Sequence, residues 1–217
     1  MKNVAVILSG CGFLDGAEIH ESVLTLLAIE NAGAKYQCFA PDKLQAEVVN
    51  HLSGKTEPTQ SRNILIEAAR IARGNILPIQ EINPDNFDAI IFPGGFGAAK
   101  NLCSFANEGA TMSVIPEVLE VAKSFADSQK PAGYICIAPA IISQVYGSGV
   151  ALTIGNDQET ASALEEMGAH HKNCVVEDII VDEAHKVVST PAYMLAQTVS
   201  EAHEGISKLV NKVIQMA

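Results

Sequence analysis

Four short, mostly apolar runs recur along the chain, and a turn-forming glycine, proline or polar residue follows each one. They occupy residues 4–8, 89–92, 132–137 and 152–154. Apolar runs of this length without polar alternation are typical of strands buried on both faces, as in the centre of a parallel sheet. Further strands are predicted over residues 36–40 and, around a turn at residues 182–185, as two short strands within residues 174–188.

Between these runs, apolar residues recur every three or four positions, which is the spacing of amphipathic helices. A first helix is predicted over residues 23–32, ended by Gly33. The same pattern predicts helices over residues 63–73, 114–128 and 158–167. The last and longest helix is predicted to begin at Ala192, with Thr190 as its N-cap and Pro191 as its first residue.

Alternating strands and helices predict an α/β fold with a mainly parallel sheet and helices on both faces. No repeat, linker or charge block divides the chain, so we expect one domain over residues 1–217. Ligands of such folds bind beyond the carboxyl ends of the parallel strands. The residues that follow the predicted strands are therefore the candidates for chemistry.

Composition and charge exclude several classes of protein. The chain has 14 Lys and Arg against 25 Asp and Glu, a net charge of −11, which argues against nucleic acid as a partner. Its five cysteines form no C-x-x-C pair, so neither a disulfide framework nor a zinc site is expected. The first apolar run is shorter than a signal-peptide core, and no run approaches the roughly 18 residues of a membrane span. We expect a cytoplasmic protein with no membrane partner.

Cys136 stands at a predicted strand-to-helix junction and is the leading candidate nucleophile. Ile137 and Ala138 follow it, and Pro139 occupies the position of a first helical residue. The dipole and free N–H groups of a helix N-terminus favour a thiolate, so a lowered pKa of the Cys136 thiol is expected. The N–H of Ile137 is a candidate oxyanion donor. The alternative is an inert buried thiol, which is how most cysteines in apolar runs behave.

Two further segments follow predicted strands. Gly94 and Gly95 allow the backbone to approach a ligand, and one of their N–H groups could complete an oxyanion hole. Glu18 and Glu21 open the first helix, where a carboxyl group can exchange a proton with a thiol, although acidic first turns are also ordinary dipole partners. Cys11, at the end of the first strand, is the second candidate thiol.

Known metal and phosphate motifs are absent from these segments. His20 and Glu21 do not continue as H-E-x-x-H, because residue 24 is leucine, and no phosphate-binding glycine loop with its lysine occurs. We therefore expect neither a metal nor a cofactor.

Taken together, the segments resemble the ElbB family, also called enhancing lycopene biosynthesis or sigma cross-reacting proteins. This family belongs to the PfpI-like branch of the class I glutamine amidotransferase-like superfamily. The resemblance covers nearly the whole chain and is carried by residues 6–12 (VILSGCG), 15–21 (DGAEIHE), 93–102 (PGGFGAAKNL), 136–140 (CIAPA), 152–155 (LTIG) and 190–196 (TPAYMLA).

The resemblance implies a flavodoxin-like three-layer sandwich in a single class I glutamine amidotransferase-like domain. It assigns the nucleophile to Cys136, the facing carboxyl group to Glu21, and the oxyanion N–H groups to Gly95 and Ile137, beside Gly94. It implies a cofactor-independent, glutathione-independent glyoxalase that converts glyoxal or methylglyoxal to a 2-hydroxy acid through a cysteine hemithioacetal. A homodimer and a link to isoprenoid biosynthesis are further expectations.

The chain departs from related proteins near the cysteine. Ile137 and Ala138 replace the Gly or His of amidotransferases and peptidases, so neither triad is complete. Residues 152–156 lack the histidine that assists related glyoxalases, which leaves His20 as the candidate substitute and predicts slow turnover. The alternative function is a redox-sensing or regulatory binding protein that uses the same cysteine without turnover.

Overall fold

The computed structural model describes all residues from Met1 to Ala217. Its strands are β1 (Asn3–Ile7), β2 (Lys35–Ala40), β3 (Val49–Asn50), β4 (Lys55–Thr56), β5 (Ile76–Pro78), β6 (Ala89–Phe92), β7 (Ala132–Ile135), β8 (Ala151–Leu152), β9 (His170–His171), β10 (Ile180–Asp182) and β11 (Val187–Thr190). Its α-helices are α1 (Ile19–Asn31), α2 (Ile64–Ile71), α3 (Phe96–Lys100), α4 (Phe105–Glu108), α5 (Pro116–Asp127), α6 (Ile142–Tyr146), α7 (Gln158–Glu166) and α8 (Val199–Met216).

Seven strands form one central sheet in the order β10-β11-β7-β6-β1-β2-β5. Every neighbouring pair is parallel except the edge pair β10 and β11, which is antiparallel. The strands in the middle of the sheet, β6 and β7, are buried at every residue, as their unbroken apolar runs predicted. The α/β flavodoxin-like fold with a mostly parallel sheet is confirmed.

The sheet separates two hydrophobic cores, which makes three layers. On one face, Leu26 and Ile29 of α1 pack in the same core as Leu209 and Val213 of α8. On the other face, a second core contains residues of α5, α6 and α7, among them Val118, Ala122, Phe125, Ile142 and Leu164. These helices therefore bury their apolar residues in the two cores, as amphipathic periodicity requires.

Several predicted boundaries near the sheet edges are wrong. The run at residues 152–154 does not enter the central sheet, because β8 pairs with β9 in a separate two-stranded sheet. The edge strand β5 was not predicted, because its short apolar run contains a proline at residue 78. Residues 174–179 precede β10 instead of forming a strand, and α5 begins at Pro116 instead of residue 114, since proline fits the first turn of a helix.

The last helix also begins later than predicted. Thr190 ends β11 and donates its hydroxyl to the carbonyl of Asp178, so it caps no helix. A 3₁₀ turn follows over Ala192–Met194. The N-cap of α8 is Thr198, which forms a reciprocal capping box with Glu201. The segment between β11 and α8 is therefore not part of α8 and can cross the carboxyl end of the sheet.

Candidate active site

Cys136 occupies a strained turn directly after β7. Its φ is +62°, in the left-handed region that side chains with a Cβ rarely adopt. Its N–H donates a 3.0 Å hydrogen bond to the carbonyl of Thr190, which ties the turn to the end of β11. A 3₁₀ turn over Ala138–Ile141 follows before α6 begins. The thiol is therefore held at the carboxyl edge of the sheet, where the elbow pattern placed it.

Glu21, on the first turn of α1, is completely buried beside this thiol. Its Oε2 accepts a 2.9 Å hydrogen bond from the N–H of Gly94, and its Oε1 accepts one of 3.1 Å from the N–H of Tyr193. The carboxyl group and the thiol of Cys136 lie on the same side of Gly94, close enough for each to shift the pKa of the other. The carboxyl group is thus fixed by residues that follow two different strands.

Gly94 allows these groups to meet. A Cβ at this position would overlap the Cβ of Cys136 and would lie 2.7 Å from Oε2 of Glu21 and 2.8 Å from the carbonyl oxygen of Ile135. The φ of Gly94 is not in the left-handed region, so space, not backbone conformation, demands a glycine here. The close approach of thiol and carboxyl group depends on the missing side chain.

Burial is the main cause of the pKa shifts of Glu21 and Cys136. It raises the pKa of Glu21 to about 8, and the negative charge of Glu18 adds to this, whereas the N–H donors of Tyr193 and Gly94 oppose it. Burial also raises the pKa of Cys136 well above its ordinary value, reinforced by the charge of Glu21. The expected lowering of the thiol pKa is therefore wrong in direction. The dipole of a single 3₁₀ turn is too weak to offset the loss of water.

Two backbone N–H groups lie near the sulfur. Those of Gly95 and Ile137 are close enough to the Cys136 side chain to favour its charged form. Gly95 has a φ of +91°, which suits glycine, and opens α3. Donors placed at the sulfur are also placed near any oxygen on a carbon bonded to it. The geometry therefore brings together five predicted site residues: Cys136, Glu21, Gly94, Gly95 and Ile137.

The remaining candidates lie elsewhere. His20 is exposed, does not line the cavity over Cys136, and has its Nδ1 2.8 Å from the hydroxyl of Tyr193. Cys11 is half-buried and does not line that cavity either. Burial, followed by the charge of Glu67, raises the pKa of the Cys11 thiol. Neither residue forms a hydrogen bond with Cys136 or Glu21.

A cavity of about 450 Å³ opens over Cys136. Its wall is apolar apart from Glu18 and Thr160, and the larger side chains in it are Phe13, Phe96, Phe105, Ile137, Tyr193 and Met194. Tyr193 was not predicted as a site residue, because the apolar spacing placed it inside the last helix. A strand predicted to end at Thr190 would have made residues 191–194 candidates, because ligands bind beyond the carboxyl ends of parallel strands.

No group of three or more His, Cys, Asp or Glu side chains is arranged to hold a metal ion. No helix combines the length and apolar character needed to cross a membrane.

A parallel flavodoxin-like sheet with a cysteine at the turn after a central strand defines a protein of the class I glutamine amidotransferase-like fold. The chain belongs to the DJ-1/PfpI family, whose sequence pattern matches residues 5–190.

Three similar proteins extend this comparison. The human "Glutamine amidotransferase-like class 1 domain-containing protein 3, mitochondrial" is 44% identical over 98% of this chain and 82% of its own length. The rat "ES1 protein homolog, mitochondrial" is 43% identical over 98% of this chain and 83% of its own length. The crystal structure of an isoprenoid biosynthesis protein with amidotransferase-like domain from Ehrlichia chaffeensis is 34% identical. It has a TM-score of 0.93 and covers 100% of this chain and 99% of its own.

The predicted cytoplasmic location is contradicted by these relatives. Both mammalian proteins, at 43% and 44% identity, are mitochondrial by name. The cysteine pattern and the lack of a long apolar run do not identify the compartment. Proteins with reduced cysteines and no membrane helix occur in more than one compartment.

Proposed function

We propose that this protein is an ElbB-type, glutathione-independent glyoxalase that converts glyoxal or methylglyoxal to a 2-hydroxy acid. The observation that carries the proposal is the completely buried carboxyl group of Glu21, which has a pKa of about 8 and lies beside the side chain of Cys136. A group that gains and loses a proton near neutrality is suited to move protons during turnover.

In the first step, the Cys136 sulfur bonds to the aldehyde carbon and its proton passes to the resulting oxygen, giving a hemithioacetal. Glu21, as a carboxylate, removes the hydrogen of that carbon as a proton and returns a proton to the neighbouring carbonyl carbon, while the proton of the hemithioacetal hydroxyl passes to the oxygen of that neighbouring carbon. The aldehyde carbon is thereby oxidised to a thioester and the neighbouring carbonyl carbon is reduced to an alcohol, so no external oxidant is needed. Water then cleaves the thioester and releases the 2-hydroxy acid.

The N–H groups of Gly95 and Ile137 support the charged stages of this sequence. They lie near the sulfur and would donate to the oxygen on the carbon attached to it. One such donor is worth about 3 kcal/mol of transition-state stabilisation in other enzymes. Turnover is slow, because no histidine assists and the pair has lost its first proton in only about one-tenth of the molecules at pH 7.

The chemistry is tested by its product. Methylglyoxal incubated with the protein without glutathione should disappear in step with the formation of lactate. In the Glu21→Gln variant the thiol should still add to the aldehyde, so mass spectrometry should find an adduct at Cys136 without lactate. Loss of methylglyoxal without lactate in the wild-type protein would contradict the proposal.

A redox-sensing role is the second candidate. The N–H groups of Gly95 and Ile137 and a protonated Glu21 would also stabilise a sulfinate at Cys136, formed by two successive oxidations by peroxide with release of water. The raised pKa of the thiol counts against fast oxidation, because the thiolate is the reacting species. A peroxide-dependent mass gain at Cys136 in a protein that forms no 2-hydroxy acid would favour this role.

Four further expectations join the proposal. The whole of residues 1–217 acts as one domain, and the protein is a homodimer that binds no nucleic acid. A link to isoprenoid biosynthesis has the support of the Ehrlichia chaffeensis protein, which is named for that process. Light scattering in solution tests the dimer, for which a mass near twice 22.9 kDa is expected.

A further inference from the structure

The cavity over Cys136 is far larger than a small dicarbonyl compound requires. Its volume of about 450 Å³ lies within the range of roughly 300–1,000 Å³ that accommodates drug-sized ligands. Methylglyoxal carries only a methyl group beyond its two carbonyl carbons. A substrate of that size would leave most of the cavity filled with water.

The wall of the cavity is aromatic. Phe13 comes from the loop after β1, Phe96 from the start of α3 and Phe105 from the start of α4. Phe13 and Phe96 are each 47% exposed, although large apolar side chains in this protein are mostly buried. Exposed phenylalanine rings that converge on one cavity beside a candidate nucleophile indicate a binding surface for an apolar group.

The cavity contains no cation. Glu18 is the one charged residue in its wall. Lys100 holds its ammonium group 5.0 Å from the ring of Phe96, but this lysine is ion-paired with Glu47. A substrate carboxylate or phosphate would therefore lose water without gaining a partner and would face a like charge. Glutamine and isoprenoid diphosphates carry such groups, so they fit this cavity poorly.

We propose that the preferred substrates are neutral 2-oxoaldehydes that carry an aryl or extended alkyl group, and that Phe13, Phe96 and Phe105 determine this specificity. This inference rests on the proposed function for its reaction. The aldehyde carbon bonds to the sulfur of Cys136, and the apolar substituent occupies the aromatic part of the cavity. Burial of a phenyl group in place of a methyl group raises kcat/KM by roughly 10- to 100-fold.

The first experiment compares kcat/KM for phenylglyoxal and methylglyoxal. Ala106 lines the cavity from the exposed side of α4, so Ala106→Phe fills the space meant for the substituent. This variant should lower the phenylglyoxal-to-methylglyoxal ratio at least tenfold. The matched control is Ala184→Phe, at an exposed turn between β10 and β11, which should leave the ratio unchanged. A wild-type ratio of one or less would overturn the inference.

A second experiment requires no turnover, so it separates failure of this inference from failure of the proposed function. Alkylation of Cys136 by iodoacetamide, N-benzyl iodoacetamide and iodoacetate is followed by peptide mass spectrometry. Each rate constant is divided by that of N-acetylcysteine. We expect the benzyl reagent to react at least tenfold faster than iodoacetamide, and iodoacetate to be slowest. Equal normalised rates, or a preference for iodoacetate, would overturn the inference even if methylglyoxal is turned over.

Discussion

The Oε2 atom of Glu21 accepts a 2.9 Å hydrogen bond from the N–H of Gly94, and Gly94 in turn lies directly against Cys136. The other oxygen of the same carboxyl group accepts from the N–H of Tyr193. One buried side chain on α1 is thus held by the residues that follow β6 and β11, while the thiol follows β7 between them. The reaction that we propose and the stability of the site both depend on the protonation of this carboxyl group.

The reactivity of Cys136 should rise with pH up to about 8 and then level off. The pKa of Glu21 is about 8, so below that pH the carboxyl group and the thiol both keep their protons. Loss of one proton from the pair supplies either a thiolate or a base beside the thiol. The rate of alkylation by iodoacetamide should increase about tenfold per pH unit between pH 6 and 7.5.

Cys174 serves as an internal control for this profile. It is half-buried, and burial raises its pKa to about 11, so its alkylation rate should still be rising above pH 9. Peptide mass spectrometry resolves the two sites in one sample. A rate at Cys136 that does not change between pH 6 and 8 would mean that the thiolate is already formed, which the buried pair does not allow.

The free energy of unfolding should fall as pH rises from about 4.5 to about 8. Glu21 keeps its proton in the folded protein up to about pH 8 but loses it near pH 4.5 in the unfolded chain. Because the folded pKa is the higher one, the contribution is complete below pH 4.5 and is lost on the way to pH 8. At most it is on the order of 5 kcal/mol.

Denaturant unfolding at pH 5 and pH 8 measures this contribution. Glu21→Gln removes the titrating group at nearly constant volume, so the variant should show a smaller decrease between the two pH values than the wild-type protein. Other titrating groups are common to both proteins and cancel in the comparison. Equal decreases in both proteins would show that Glu21 does not hold its proton in the folded state.

Gly94→Ala should damage activity more than stability. The new methyl group would collide with Cys136 and with Oε2 of Glu21, and the thiol and carboxyl group must separate to admit it. Overpacking of this kind costs about 1–3 kcal/mol of stability, and a displacement near 1 Å costs about 100-fold in rate.

The matched control is Gly54→Ala, at a glycine with a φ of +69° and open space around it. Alanine at residue 54 would strain the backbone but would not collide with any other atom. It should therefore lower stability by about 1 kcal/mol and leave kcat/KM intact. An active Gly94→Ala protein would show that the close contact is not required.

The centre of the fold was predictable, and its edges were not. β6 and β7 follow from apolar runs, because strands buried on both faces leave an unbroken signal. β5 and β9 are two or three residues long and only partly buried. A proline interrupts the short apolar run of β5, and β9 consists of two histidines, so neither was predicted. Apolar residues at helical spacing continue back from α8 to Ala192, but Ala192 has a φ of +42°, which no α-helix contains.

The site was predictable only as far as strand ends reveal it. Cys136, Gly94 and Gly95 follow buried strands directly, and Glu21 follows from its position after the first loop together with the ElbB resemblance. The aromatic wall brings together side chains from three separate segments, which is a property of the packed chain and not of spacing. Burial of the thiol reversed its expected pKa shift for the same reason.

The most direct test of the account is the steady-state loss of methylglyoxal without glutathione, at pH 8, in the wild-type protein and three variants. The account predicts turnover in the wild-type protein and in Cys174→Ala, whose thiol lies outside the cavity. It predicts loss of turnover by at least about 100-fold in both Cys136→Ala and Glu21→Gln. Full turnover in either of these two variants would contradict the central claim that the buried thiol and carboxyl group act together.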